Sequence, residues 1–214
     1  QLIFNLSDGA DGILPAPGFE GYLVANCSFP LARGTAKIYE GGRLGFSNDA
    51  QILTLPRRAP QSQALLFPFI TNQNGLDSRI VLANTSADPF GSSASSRACA
   101  LNFYGGNAPP ATITDAIAPG TVFTTSASDI APGFEGYVIA SCHFAGASGI
   151  GFVTGSGSRT SSFSETAELL DTRRESSAMP LLFTSVSNRN GADTRIAIAN
   201  TSSDPFGTTR AAGA

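Results

Sequence analysis

Few side chains in this sequence could do chemistry, and the first to consider are its three cysteines. Cys99 and Cys142 each belong to an alternating apolar pattern that is typical of a strand with one buried face. Their matched faces predict a disulfide between them, and the alternative is two buried thiols. Cys27 has no predicted partner. An odd cysteine in a secreted chain indicates an unpaired or intermolecular thiol.

Metal-binding and catalytic patterns are absent from the sequence. His143 is the only histidine, no Cys-x-x-Cys or His-x-x-x-His spacing occurs, and His143 is expected to be an exposed strand residue. No G-x-S-x-G motif follows a predicted strand. Asp77 and Asp88 could ligate Ca²⁺, but the D-x-[DN]-x-[DN]-G loop is missing, which favours turn capping. We therefore expect no catalytic residue, no metal site, no cofactor and no enzyme activity.

Asparagine in Asn-x-Ser/Thr triplets marks candidate glycosylation sites at Asn5, Asn84 and Asn200. Asn84 and Asn200 occupy the same position of an internal repeat, just before a predicted turn. This position predicts that both side chains are exposed.

The composition excludes several classes of protein. Charged residues are 14% of the chain, the formal net charge is −3 and 42% of residues are hydrophobic, which is enough for a packed core. No basic cluster exists to neutralise phosphates, so nucleic acid is not an expected partner. No uncharged apolar run approaches the ~18 residues of a membrane span.

Two segments of the sequence occur twice. APGFEGYLVANCSF at 16–29 matches APGFEGYVIASCHF at 131–144 in 10 of 14 positions, and the segment 64–91 matches 180–207 in 17 of 28. The offsets are 115 and 116 residues, so the period is about 116 residues. We interpret 61–179 as one complete repeat, 1–60 as the C-terminal part of a preceding repeat and 180–214 as the N-terminal part of a following one.

Each repeat is predicted to consist of short strands. Asn74-Gly75 lies between two apolar runs and predicts a hairpin that joins adjacent antiparallel strands. The segment Ser164–Ser176 has some helical character, but its repeat counterpart Ala50–Arg58 contains Pro56, which favours a strand. The expected fold class is all-β, with tandem Ig-like β-sandwich repeats of roughly 7–9 strands each.

The motifs LLFPFITNQNG, ANTSADPFG, C-x-L-x-F-Y-G and APGFEGY-x-x-A-x-C-x-F together resemble those of uncharacterised secreted bacterial proteins built of tandem β repeats. The resemblance covers most of the chain. It implies secretion and a repeat fold, and it implies no catalytic activity.

Two functions remain open at this stage. A chain that carries complementary parts of a repeat at 1–60 and 180–214 could assemble head to tail into an extracellular homopolymer, which is a structural filament. The alternative is an adhesive or glycan-binding module at the cell surface, with glycans as partners and Tyr22, Tyr104 and Tyr137 as stacking platforms.

Overall fold

The computed structural model describes residues 21–25, 28, 33–40, 43–50, 62–87, 93–155, 162–170, 196 and 198–201. These residues form strands with one four-residue helix, so the predicted all-β class is confirmed. The elements are β1 (Thr35–Glu40), β2 (Arg43–Asp49), β3 (Gln63–Thr71), β4 (Leu76–Asn84), β5 (Cys99–Gly106), β6 (Thr112–Ile113), β7 (Val122–Ser126), α1 (Ala127–Ile130), β8 (Glu135–Cys142), β9 (Ala147–Gly155), β10 (Ser162–Thr166) and β11 (Glu168–Leu170).

The strands described form three antiparallel sheets. A five-stranded sheet has the order β11-β3-β8-β5-β6, a four-stranded sheet has the order β10-β9-β4-β7, and β1 pairs with β2. One apolar cluster takes Phe67 and Val138 from the five-stranded sheet and Ile80 and Leu82 from the four-stranded sheet. The two larger sheets therefore share a common core.

Strand β8 shows the predicted alternation of faces. Val138, Ala140 and Cys142 belong to the common core. Tyr137 and Ile139 point to the opposite face, where they pack in a second buried apolar cluster. The five-stranded sheet is therefore apolar on both faces near its centre.

The Asn74-Gly75 turn has the predicted local geometry but not the predicted role. Asn74 and Gly75 have φ values of 55° and 74°, and Leu76 N donates to Gln73 O at 2.9 Å. However, β3 pairs with β8 and β11, whereas β4 pairs with β7 and β9. The hairpin prediction is wrong, because the turn carries the chain from one sheet to the other and neither strand takes its ladder from the other.

Strand β3 contains a bulge that its sequence requires. Pro68 has no N–H to donate to a ladder, and the β3–β8 register shifts between Phe67 and Ile70. Phe67 and Ile70 both enter the common core across this shift. The bulge therefore shifts the alternation by one residue, so that Phe67 and Ile70 face the same side although they are three residues apart.

The segment Ser164–Ser176 is extended as far as the structure describes it. Residues 164–166 end β10, Ala167 lies at the crossing between sheets, and β11 follows on β3. Residues 171–176 lie outside the described part of the chain.

The hairpin β1–β2 resembles β9–β10 at its open end, although only β1–β2 shows a register shift, between Ile38 and Tyr39. Thr35 pairs with Asp49 in the first hairpin, and Ile150 pairs with Thr166 in the second. In both hairpins, the backbone N–H of an alanine that follows the second strand donates to the backbone carbonyl of a glycine near the start of the first strand. These hydrogen bonds are Ala50 N to Gly34 O at 2.8 Å and Ala167 N to Gly149 O at 2.9 Å.

Candidate assembly interface

The predicted disulfide is present and lies inside the common core. Cys99 on β5 and Cys142 on β8 are directly opposite in register, with an S–S distance of 2.03 Å and a Cα–Cα distance of 4.1 Å. Closing a loop with a sequence separation of 43 residues stabilises a fold by about 4 kcal/mol in the chain-entropy account. His143, the next residue, is exposed as predicted. Cys27 lies outside the described residues.

Asn84 is buried, which contradicts the predicted exposure of this candidate glycosylation site. Its side chain donates to Ser95 O and Ile117 O, each at 2.8 Å, and accepts from Ser86 N at 3.1 Å and Ser86 Oγ at 2.6 Å. Both amide hydrogens and the oxygen are used inside the fold, so a glycan has neither space nor a free nitrogen there. Asn200, by contrast, is exposed, and Asn5 lies outside the described residues.

Asp77 has the structural role that the sequence favoured over calcium binding. Its carboxylate accepts hydrogen bonds from Ser128 N at 3.0 Å, Ser128 Oγ at 2.8 Å and Asn72 Nδ2 at 3.2 Å. It thereby ties the β3–β4 turn to the first residues of α1. In the described part of the chain no three His, Cys, Asp or Glu side chains cluster as metal ligands do, and Asp88 lies outside that part.

The tyrosines that the glycan-binding hypothesis names as stacking platforms are partly covered within the protein. Tyr104 and Tyr137 stack on each other, with ring centroids 4.9 Å apart and an interplanar angle of 10°. Tyr137 is buried, and Tyr104 and Tyr22 are half-buried. The stacked faces of Tyr104 and Tyr137 are therefore covered by each other within the protein.

A shallow polar cleft of about 310 Å³ lies beside the β3–β4 turn, between the segments 72–77 and 154–155. Its polar side chains already have partners within the protein. Asn72 and Asp77 bond to each other, Gln73 Nε2 donates to Gly133 O at 2.7 Å, and Thr154 Oγ1 donates to Asp77 O at 3.2 Å. The cleft therefore stabilises the turn and offers little to a ligand.

Glu165 is the one titratable group whose pKa is strongly shifted among the described residues. Burial raises the pKa of its carboxyl to about 7, against a smaller opposing effect of the hydrogen bond from Phe69 N to Oε1 at 3.2 Å. Phe69 lies in the β3 bulge, so this carboxyl satisfies a backbone amide that the bulge removes from the ladder. Its role is structural.

Apart from β5 and β6, the strands of the complete repeat form two pieces, and the strands of the first piece take all their sheet partners from the second. The first piece is β3–β4 and the second is β7–β11. Strand β3 pairs only with β8 and β11, and strand β4 pairs only with β7 and β9, among the strands described. We call the boundary between the two pieces the seam.

Polar contacts also cross the seam, and three of the four join residues of the repeated segments 64–91 and 131–144. They are Asn72 N to Phe134 O at 2.8 Å, Gly133 N to Asn72 Oδ1 at 3.1 Å, Thr71 Oγ1 to Glu135 Oε2 at 3.2 Å and Ser128 N to Asp77 Oδ1 at 3.0 Å. The repeat places Asn188 and Asp193 at the positions of Asn72 and Asp77, and Gly18, Phe19 and Glu20 at those of Gly133, Phe134 and Glu135. These five contacting residues are identical between the copies, whereas Ser187 stands at the position of Thr71 and Ile13 at that of Ser128.

The repeat also relates exposed apolar side chains to buried ones. Leu23 and Val24 are 48% and 36% exposed, and Ile196 and Ile198 are 50% and 68% exposed. Their counterparts at offsets of 115 and 116 residues are fully buried, namely Val138, Ile139, Ile80 and Leu82, each 0% exposed. The repeat alignment predicts this exposure for Leu23 and Ile196, because an incomplete repeat leaves uncovered the apolar side chains that a complete one buries.

Within the described ranges, no helix is long and apolar enough to cross a bilayer. Comparison with known proteins found no matching family model, no similar curated protein and no similar solved structure.

Proposed function

We propose that this protein is a structural building block of an extracellular filament, assembled head to tail. In this proposal the segment 180–214 of one copy supplies the β3–β4 piece of a repeat. The segment 1–60 of the next copy supplies the β7–β11 piece. The two would meet along a seam like that of the complete repeat and form a composite Ig-like β-sandwich. The partner is thus a second copy of the chain.

The observation that carries the proposal is the exposure of Leu23, Ile196 and Ile198, whose counterparts form one core. Val138, Ile80 and Leu82 come from the two pieces of the complete repeat and pack in the same apolar cluster. Joining the two segments would place Leu23 beside Ile196 and Ile198 in the same way. These side chains are 48%, 50% and 68% exposed, so burying the remainder of each would contribute roughly 1–2 kcal/mol.

Further support comes from the kind of contact that the two segments would make. The two surfaces differ and lie on different segments of the chain, so the contact is heterologous and a second copy leaves one surface of each kind available. Such a contact adds one copy after another and would produce a filament. The Cys99–Cys142 disulfide agrees with an oxidising, extracellular location.

The experiment replaces Ile196 and Ile198 together by Asp in the full chain and counts filaments by negative-stain electron microscopy. We expect the double variant to remain as isolated particles, because two charges would enter the core of the composite domain. The matched control is Ile113→Asp, since Ile113 is 66% exposed on β6, outside the proposed interface. The control is expected to form filaments like the unmodified chain. Filaments formed equally by all three proteins would refute the proposal, as would isolated particles of the unmodified chain.

A further inference from the structure

The core of the complete repeat contains an aromatic side chain that lies directly on strand backbone. Phe67 is fully buried, and its Cζ atom would stand 2.6 Å from a Cβ placed on Gly149. The same Cβ would stand 3.1 Å from the Cβ of Ala167. Any side chain at position 149 would therefore displace the ring. We call Gly149 and Ala167 the ring pocket of the complete repeat.

The hairpin β1–β2 carries the same pocket. Gly34 is the counterpart of Gly149 at an offset of 115 residues, and Ala50 takes the place of Ala167 because it makes the same backbone hydrogen bond to the glycine. A Cβ on Gly34 would stand 3.3 Å from the Cβ of Ala50, and no other atom of the described residues lies within 4 Å of it. Gly34 and Ala50 are exposed, whereas Gly149 and Ala167 are buried. The pocket is formed at β1–β2, and its surface is accessible to solvent.

The difference between the two pockets fits an aromatic occupant. Gly151 is the second glycine under Phe67, and a Cβ there would lie 3.5 Å from Phe67 Cδ1, which is ordinary contact. The repeat has Ala36 at this position, while it keeps Gly34 where a Cβ would collide with a ring. Glycine is thus kept at the position where the ring would stand 2.6 Å from a Cβ, and alanine replaces it at the position where the nearest atom, Glu165 Cγ, would stand at 3.3 Å.

We propose that Phe183 of a second copy of this chain occupies the Gly34–Ala50 pocket and anchors the head-to-tail contact. Phe183 is the counterpart of Phe67 in the repeated Leu-Leu-Phe motif, so it stands in the piece that would cross the seam. This inference rests on the proposed filament and names the side chain on which its contact depends. A buried aromatic residue in a fitted pocket is typical of the few residues that dominate an interface.

The test removes side-chain volume at position 183 and adds it at position 34, first separately and then together, in the full chain. Phe183→Ala should raise the critical concentration for assembly at least about tenfold, because the ring is lost from its pocket. Gly34→Leu should do the same by filling the pocket. The double variant Gly34→Leu/Phe183→Ala should return to within about threefold of the unmodified chain, since the new side chain occupies the space that the ring has left. Critical concentrations are measured by light scattering.

The matched control is Thr184→Ala, because its counterpart Pro68 is only half-buried and lies outside the common core, whereas Phe67 is fully buried in it. Its critical concentration should change less than about twofold.

If Phe183→Ala changes the critical concentration no more than Thr184→Ala does, the pocket assignment is wrong and the proposed filament is unaffected. An unmodified chain that stays monomeric, with a melting temperature lowered by Phe183→Ala, would place the ring in the pocket of its own chain and overturn both proposals. Urea unfolding of each variant below its critical concentration identifies any variant that fails to fold, and a Gly34→Leu chain that is unfolded is replaced by Gly34→Val.

Discussion

At the scale of single residues, two buried polar side chains support the backbone in places where the sheets do not. Asn84 joins the carbonyls of Ser95 and Ile117, so one amide holds the two connections that lead into β5 and β7. Glu165 accepts from Phe69 N at the β3 bulge. The first is neutral at every pH, but the second is an acid whose burial favours the protonated form.

Glu165 should make the stability of the complete repeat fall as pH rises. The folded-state pKa of about 7 lies above the ordinary value of 4.5, so its stabilising contribution is full below pH 4.5 and is lost as pH rises through 7. We expect Glu165→Gln, which keeps an acceptor for Phe69 N, to remove this loss. Relative to the variant, the unmodified chain should lose on the order of 1–3 kcal/mol of unfolding free energy between pH 5 and pH 8.

Urea unfolding of both proteins at the two pH values measures this difference, and the other titrating groups cancel in the comparison. Equal changes in the unfolding free energy of the two proteins would show that Glu165 is not buried as described.

At the scale of elements, the structure of the complete repeat depends on connections that change sheets. The β3–β4 turn uses two left-handed residues to reverse the chain within four residues. Thr71 N, at the end of β3, donates to Ser78 Oγ at 2.8 Å instead of to a β4 carbonyl. The turn thus separates two strands whose ladders are completed from residues 122–170.

Gly75→Val should destabilise the complete repeat by about 1–3 kcal/mol, because a β-branched residue resists the positive φ of this position. Gly106→Val is the matched control. A Cβ on Gly106 meets only Glu135 O at 3.8 Å, and its φ lies outside the left-handed region. Thermal unfolding should therefore show a lowered melting temperature for the first variant and a nearly unchanged one for the second. Equal melting temperatures for the two variants would contradict the turn geometry.

Features set by local pattern could be predicted from the sequence. The alternation in β8 identified the faces of Val138 and Ala140, and the matched faces of Cys99 and Cys142 identified their bond. The Asn74-Gly75 dipeptide identified a tight turn, because these residues tolerate positive φ.

Features set by distant partners could not be predicted in the same way. A turn does not specify whether its two strands pair, and the partners of β3 and β4 stand more than 35 residues further along the chain. The burial of Asn84 depends on the carbonyls of Ser95 and Ile117, which no local pattern connects to it. The triplet that suggested glycosylation carries no information about burial.

At the scale of the whole molecule, the proposed filament would contain alternating domains of two kinds. The complete repeat folds within one chain and contains the disulfide. In the proposed filament a composite domain would join two chains, with Cys27 at the position of Cys142. Strand β2 lies beside β10, the edge strand of the four-stranded sheet, so consecutive domains are in contact within a chain. The length of such a filament would depend on the strength of the noncovalent contact along the seam between chains.

The most direct test of this account mixes two full-length chains that are each blocked at one surface. One carries Leu23→Asp and Val24→Asp, and the other carries Ile196→Asp and Ile198→Asp. These residues are exposed in the single chain, so both proteins should fold. Alone, each should remain a monomer of 22.0 kDa by light scattering. Mixed, they should form a one-to-one complex of twice that mass and nothing larger, because one intact surface of each kind remains. A mixture that stays at the monomer mass, or a blocked chain that polymerises alone, would contradict assembly through a split repeat.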